Sequence, residues 1–291
     1  MEKPYLSVVV ASRNDNHGGD LNERAQNCID SFSSQCERFN LSHEIVIVDW
    51  NPPIEKPFLF ETLKGKFKSI IVPPEIHNRY GQAKLFPLYQ MIAKNAGIRR
   101  ASGEFILATN VDILFSDDIV EFMATKPFSE GNLYRAYRYD AKPGPKTVEE
   151  AKNNLIRINL SYEDELCTNA CGDFQLMHRD DWFGLRGYYE NDLFSIHIDS
   201  LLEYHAVYNN IKEVVMRPPK VVYHVEHTGG WVPGVEKLKE YNRMNDKKIK
   251  KLSYDDFLRI IAFMARQRSL FHYNKENWGL VNDDLKEVNI V

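Results

Sequence analysis

The sequence predicts an α/β protein with a mainly parallel central sheet flanked by helices. Three observations carry this reading. Short β-branched runs alternate with helical patterns through the first half of the chain. The runs are apolar almost without interruption, as strands covered on both faces must be. Polar clusters come after three of the runs, at the strand ends where open parallel sheets bind ligands.

Tyr5–Ala11 (YLSVVVA) is the first strand. Asp20–Asn40 reads as a helix, because Leu21, Ala25, Cys28, Ile29, Phe32, Cys36 and Phe39 recur at three and four spacing, with Asp20 and Glu23 placed to cap it. Glu44–Trp50 (EIVIVDW) is the second strand, stopped by Asn51-Pro52-Pro53. Ser69–Val72 is a third strand, stopped by Pro73-Pro74. Leu85–Arg100 reads as a helix, and Phe105–Ala108 (FILA) as a fourth strand. The second half is less regular. Leu133–Tyr139 reads as a strand. Thr147 and Glu150 form a capping box for a helix running to about Ser161. Asp173–His178 alternates like a strand, Ile198–Tyr208 has a helical face, and Glu213–Met216 and Val221–Val225 are two strand segments. The last apolar periodicity, Tyr254–Leu270, is a C-terminal helix.

The 291 residues carry 43% hydrophobic and 27% charged side chains, ordinary for a globular chain that needs no staple to fold. A net charge of −4 leaves no electrostatic footprint for nucleic acid. Cys28, Cys36, Cys167 and Cys171 form neither a disulfide framework nor a zinc-finger spacing, and read as reduced thiols. The amino-terminal residues lack the apolar core of a secretion signal, and no run approaches 18 apolar residues. The expectation is a cytoplasmic chain without a transmembrane segment.

No GxGxxG comes after the first strand and no P-loop motif occurs, so the usual dinucleotide and NTPase sites are excluded. The strand ends carry Ser12-Arg13-Asn14-Asp15, then Asp49, then Asn110-Val111-Asp112. Asp112, between apolar segments, is either a turn aspartate or a carboxylate paired with a cation such as Mg²⁺ or Mn²⁺. His224 and His227 end a strand, either as plain strand-end histidines or as imidazoles completing a metal site. Asp199 opens a helix, either as a carboxylate favoured by the helix dipole or as a general base facing a substrate hydroxyl.

The order of these pieces over Tyr5–His227 resembles the GT-A glycosyltransferases, in particular the large inverting family 2 of polysaccharide and cell-surface glycan synthesis. SRND looks like that family's nucleotide-binding turn, and EIVIVDWNPP like its second strand ending in a base-contacting aspartate. KNAGIRRASGEFILATNVD looks like the asparagine-glycine helix leading into the metal motif, with Asn110 at the first acidic position and Asp112 retained. DFQLMHRDDWFGLRGYYEN resembles the acceptor-side strand and glycine turn. HIDSLLEYHA aligns with the Glu-Asp motif of the catalytic helix, with Ile198 for the glutamate and Asp199 for the base.

The resemblance implies a GT-A domain over 1–235 and a C-terminal helical extension over 236–291. It implies metal-dependent, inverting transfer of a sugar from a nucleotide-diphosphate donor to a hydroxyl acceptor, a glycan in the first instance. Asp112 and His224 would hold Mn²⁺ or Mg²⁺. Ala11, Arg13, Asp49, Lys94, Asn95 and Asn110 would hold the donor. Asp199 would be the base, and Asp173, His227 and Trp231 would face the acceptor. Two alternatives stay open at this point. One is a catalytically weak glycan- or nucleotide-binding pseudo-transferase, favoured by Asn110 and Ile198. The other is a sugar-nucleotide nucleotidyltransferase, disfavoured because SRNDNHGGDLNER carries no lysine. The C-terminal helix, flanked by Lys247, Lys248, Lys250 and Lys251, could close the core, pair in a homodimer or rest on the inner face of a membrane.

Overall fold

The computed structural model describes residues 3–160, 166–227, 242–267 and 271–291. The chain opens with β1 (Leu6–Ser12), α1 (Leu21–Phe39), β2 (His43–Trp50), α2 (Leu59–Thr62) and β3 (Phe67–Val72). It continues through α3 (Pro74–His77), α4 (Gln90–Arg100) and β4 (Phe105–Ala108). Then come β5 (Ile113–Phe115), α5 (Asp117–Ala124), β6 (Asn132–Ala141), α6 (Val148–Asn153) and β7 (Leu155–Asn159). A single 3-10 turn at Cys171–Asp173 leads into β8 (Gln175–His178), α7 (Arg179–Leu185), α8 (Ile198–Tyr208) and β9 (Lys212–Val225). The chain ends with α9 (Tyr254–Arg266) and β10 (Lys286–Ile290). Among the described residues, no helix is long and apolar enough to cross a membrane.

The strands form one sheet in the order β10-β3-β2-β1-β4-β8-β6-β9-β5, with β7 paired to β6. The run β3-β2-β1-β4 is parallel throughout, as is the long β6/β9 pair. Antiparallel pairs join β10 to β3, β4 to β8, β8 to β6, β7 to β6 and β5 to β9. The sheet is therefore parallel from β3 to β4, with β10 as an antiparallel edge strand, and mixed beyond β4. Its two faces bury two cores. Val9, Val46 and Val48 pack under α4 on one face, and Val8, Val10 and Ile47 pack under α1 on the other. This two-sided burial explains why the strands read as unbroken apolar runs. Helix α4 lies very close to the sheet. A Cβ at Gly97 would come within 2.5 Å of Val9 Cγ1 and 2.9 Å of Val48 Cγ2, so only glycine fits there.

Several local expectations change. The helix expected from Leu85 starts at Gln90, because Pro87 interrupts the segment before it. The capping box at Thr147 and Glu150 forms, with Glu150 N donating to Thr147 Oγ1, but its helix stops at Asn153. The alternating sequence LIRIN that comes next pairs instead as β7 on β6. The two expected strand segments after Lys212 are one strand, β9, and Pro218 and Pro219 fall in the register shift between Met216 and Val221, where no ladder donor is needed. Asp20 does not cap α1. It holds a left-handed conformation at φ 49°, and Asn16 Oδ1 accepts from Leu21 N instead. The 236–291 segment is more than helix, since β10 extends the sheet beyond β3. All four cysteines are buried and unbridged.

A candidate active site at the carboxyl ends of the strands

A cleft of about 1260 Å³ opens beyond the carboxyl ends of β1 and β4 and the end of β9, between the parallel half of the sheet and α8. Ala11, Arg13, Asn110, Asp112, Asp173, Asp199, His224 and His227 all line it. Residues far apart in sequence meet here because β5 and β9 run antiparallel in a register that sets Ile113 opposite His224. Asp112, one residue before Ile113, therefore meets the end of β9.

Asp112, His224 and His227 form a cluster whose ligand atoms all lie within 4.8 Å of one another. His227 Nε2 is 3.0 Å from Asp112 Oδ2, and His224 Nε2 is 3.9 Å from it. Burial alone would raise the Asp112 carboxyl, but the His227 hydrogen bond and the nearby His224, His227 and Arg24 charges hold it well below the usual carboxylate range. The other ring nitrogen of His224, Nδ1, lies 3.1 Å from Asp140 Oδ1. Asp140 is itself held by Asn159 Nδ2 at 2.8 Å and by Arg138 Nε at 2.9 Å. A carboxylate behind an imidazole fixes its tautomer and aims its free nitrogen, as is usual at metal-binding histidines. Two imidazoles and a carboxylate suit a divalent transition metal. The donor set and its support thus fit an ion, and His227, expected on the acceptor side, stands within this cluster.

Asp173 does not point freely at an acceptor. Its Oδ2 pairs with Arg138 Nη1 at 2.7 Å, and its Oδ1 accepts from Asn110 Nδ2 at 2.5 Å. Asn110 Oδ1 in turn accepts from Gln90 Nε2 at 2.9 Å. Asn110 is thus a rigid spacer between α4 and the 3-10 turn, and an asparagine suits that place because it both donates and accepts.

Asp199 stands at the start of α8, half-buried on the cleft wall. Its Oδ1 accepts from Ser200 N at 2.9 Å and its Oδ2 from Gly172 N at 3.1 Å. Beneath it, Gln175 Nε2 donates to the Asp199 carbonyl at 3.0 Å. Deeper still, Arg135 and Glu203 form a fully buried ion pair. Burial would lower the Arg135 guanidinium, but the adjoining Glu203 charge outweighs it and raises the group, keeping it charged. Arg135 Nη1 and Nη2 donate to the Cys171 and Cys167 carbonyls at 2.9 and 3.0 Å. This pair fixes the 3-10 turn against α8.

Three residues expected on the donor side are buried. Asp49 is fully buried and does not line the cleft; its Oδ2 accepts from Leu59 N at 2.8 Å, holding the first turn of α2. A carboxylate at the start of a helix is locally favoured, which explains the placement. Burial pushes its carboxyl up to about 6. Asn95 is also fully buried, donating to Tyr188 O at 2.8 Å and accepting from Tyr188 N at 2.8 Å. It clips α4 to the segment after α7. Lys94 is buried too but lines the cleft, its Nζ donating to Gly172 O at 2.9 Å. Arg13 remains at the cleft, with Nε donating to Asn51 O at 2.6 Å and Nη1 paired with Asp15 at 2.9 Å. Trp231 lies outside the described residues.

Sequence reasoning misses Arg135, Arg138, Asp140 and Glu203. The available signal is three charged residues inside one apolar strand, β6, which is costly unless each is paired. It also misses Arg24 and His17. Arg24 donates to the Gly19 and His17 carbonyls at 2.6 and 2.8 Å, and the His17 ring meets the His227 ring edge-on at 5.7 Å. The loop after β1 is thereby drawn over the Asp112 cluster.

No protein-family model and no curated protein sequence matches the chain. Among solved structures, the catalytic domain of Drosophila β1,4-galactosyltransferase 7, in complex with xylobiose, is similar at 12% identity and a TM-score of 0.40, over 82% of this chain and 79% of that one. Residues 1–349 of Staphylococcus aureus TarS are similar at 12% identity and a TM-score of 0.48, over 76% of this chain and 60% of that one.

Proposed function

We propose that this chain is a glycosyltransferase that moves a sugar from a nucleotide-diphosphate donor to a hydroxyl acceptor, a glycan in the first instance, with inversion at the anomeric carbon. One observation carries the reading: a single cleft is lined both by an Asp-His-His cluster fit for a divalent ion and by the Asp199 carboxylate. Transfer from a diphosphate leaving group needs both, one to manage departing negative charge and one to take a proton.

Asp112, His224 and His227 would hold the ion, and of Mn²⁺ and Mg²⁺ the two imidazoles favour Mn²⁺. When bound, it supplies Lewis-acid neutralisation of charge on the departing diphosphate. Arg13 and the Ala11 backbone border the nucleoside end of the cleft. Asp199 accepts the proton of the acceptor hydroxyl as that oxygen attacks the anomeric carbon. Gly172 N and Ser200 N each occupy one lone pair of its carboxylate, which leaves further acceptor positions for the hydroxyl. Residues 1–235 carry these groups, and 236–291 packs α9 against α8 at the acceptor end.

The alternative of a degenerate binding module rests on Asn110 and Ile198. Asn110 has its own partners in Gln90 and Asp173, and Ile198 packs in the core, so neither reads as a decayed catalytic group. A thermal-shift screen against UDP-, GDP-, CMP- and dTDP-sugars, with and without Mn²⁺, tests the proposal. One donor class is expected to stabilise the protein, and only with the ion. No shift with any donor, or full turnover in excess EDTA, would overturn it.

A further inference from the structure

Helix α4 carries a contradiction in its sequence. Every residue from Met91 to Ile98 is buried, yet one of them is a lysine. A buried ammonium is costly unless a specific partner holds it. Burial indeed pushes Lys94 down to about 8, against the opposing pull of Asp173 and Asp199. Its hydrogen bond goes to Gly172 O at 2.9 Å, a backbone atom of the 3-10 turn. On its other side, the same glycine donates its N–H to Asp199 Oδ2 at 3.1 Å. Gly172 is thus pinned between the ammonium and the carboxylate, and there is no slack: a Cβ at Gly172 would come within 2.9 Å of Asp199 Oδ2.

We propose that Lys94 is a positioning residue for Asp199, clamping Gly172 so that its N–H holds the carboxylate at the cleft wall. The proposal rests on the reading of Asp199 as base. It reads the Lys94 ammonium, hydrogen-bonded to Gly172 O at the cleft, as a clamp and not as the diphosphate contact that the resemblance implied. Pulling on the carbonyl also polarises the turn, which strengthens hydrogen bonding along it. With Lys94 replaced by a neutral side chain, the turn loses its anchor and Asp199 drifts from the geometry in which it takes a proton. Misplacement of about 1 Å costs on the order of 10²-fold in rate.

The test uses the full chain and compares Lys94→Met, Gly172→Ala, Asp199→Asn and the Lys94→Met/Asp199→Asn double variant. The reaction followed is hydrolysis of the donor that the thermal-shift screen selects, and the crystal structure of Lys94→Met is determined alongside. The expected result is a fall in kcat of about 10²-fold for Lys94→Met with donor KM unchanged. The double variant is expected to be no slower than Asp199→Asn alone, and the Lys94→Met crystal structure to have the Asp199 carboxylate off Gly172 N. Gly172→Ala crowds the same carboxylate from the other side without touching Lys94. It is expected to show the same kcat-only loss, which tests the Gly172–Asp199 contact; if Lys94→Met does not fold, the smaller change Lys94→Gln, read by the same kcat, donor KM and crystal structure, decides the role of Lys94. Unchanged kcat, a rise in donor KM alone, losses that multiply in the double variant, or an unmoved Asp199 in the crystal would each overturn the proposal. Normal turnover by Asp199→Asn would instead sink the assignment of the base, while the Lys94→Met crystal structure would still decide whether Lys94 places that carboxylate.

Discussion

The two halves of the sheet present functional side chains in different ways. In the parallel half, polar residues sit at or just past their strand ends and bind backbone and side chains near those ends: Asp49 serves a helix ten residues on, and Arg13 pairs with Asp15 and donates to Asn51 O beyond the neighbouring β2. In the mixed half, each functional group depends on a partner from another segment. His224 needs Asp140 of β6, Asp173 needs Arg138 of β6, and Asp199 needs Gly172 across the turn. The candidate groups of this cleft are concentrated where the pairing is mixed and long-range, and the parallel half mainly supplies the wall against which they are arranged.

If that contrast holds, damage should be large in the mixed half and small in the parallel half. The largest effect is expected for Asp199→Asn, which keeps the shape and removes the basicity. Its kcat should fall by about 10²–10⁴-fold, with donor affinity unmoved, as read by initial rates and calorimetry. Next is Arg135→Met, which leaves Glu203 without its guanidinium partner in the core. Denaturant unfolding should register a loss of about 3–5 kcal/mol, the usual cost of breaking a buried pair from one side. Third, Asp140→Asn weakens the support of His224 without touching an ion. Titration with Mn²⁺ should give an affinity weaker by roughly 10–100-fold, the scale of such indirect ligand support.

The smallest effect belongs to the parallel half. Burial raises the folded-state value of Asp49 from 3.8 to about 6, so the folded chain holds that proton more tightly than the unfolded chain does. Stability from this group is therefore complete below the ordinary carboxylate value and is lost as pH rises through about 6. Asp49→Asn should flatten the loss and raise Tm at a pH of about 7.5 by about 2–4 °C, measured by calorimetry between about pH 4 and pH 8. A large fall in donor affinity in that variant would instead return Asp49 to the binding site and erase the contrast.

Legibility in the sequence divides along the same line. The strands β1, β2 and β4 and helix α1 announce themselves, because an unbroken β-branched run and a three-four spacing report burial directly. The segment after Asn153 misleads, because a capping box states where a helix starts and not how far it runs. Asp112, His224 and Asp199 stand out as single residues by type and by resemblance. Their supports do not, since Arg138 and Asp140 lie on a strand whose partners include β8 and β9, and nothing local to YRAYRYDA names them. Asp49 and Asn95 are ambiguous in sequence for the opposite reason. A polar residue at a strand end or on a helix fits a ligand contact and a structural clip equally well, and only packing separates the two.

By itself the sequence determined the alternation of strand and helix and the carboxyl-end location of the polar clusters, and it singled out Asp112, His224 and Asp199 as candidates. These depend on the period of burial and on side-chain type, both of which are local. The tertiary structure alone decided that His227 joins Asp112, that Asp49 and Asn95 are buried against Leu59 N and Tyr188, and that Lys94 reaches Gly172. Those are questions of register and of which buried polar group finds which partner. They are settled by the cost of leaving any such group unpaired in the core, a cost that no stretch of sequence carries alone.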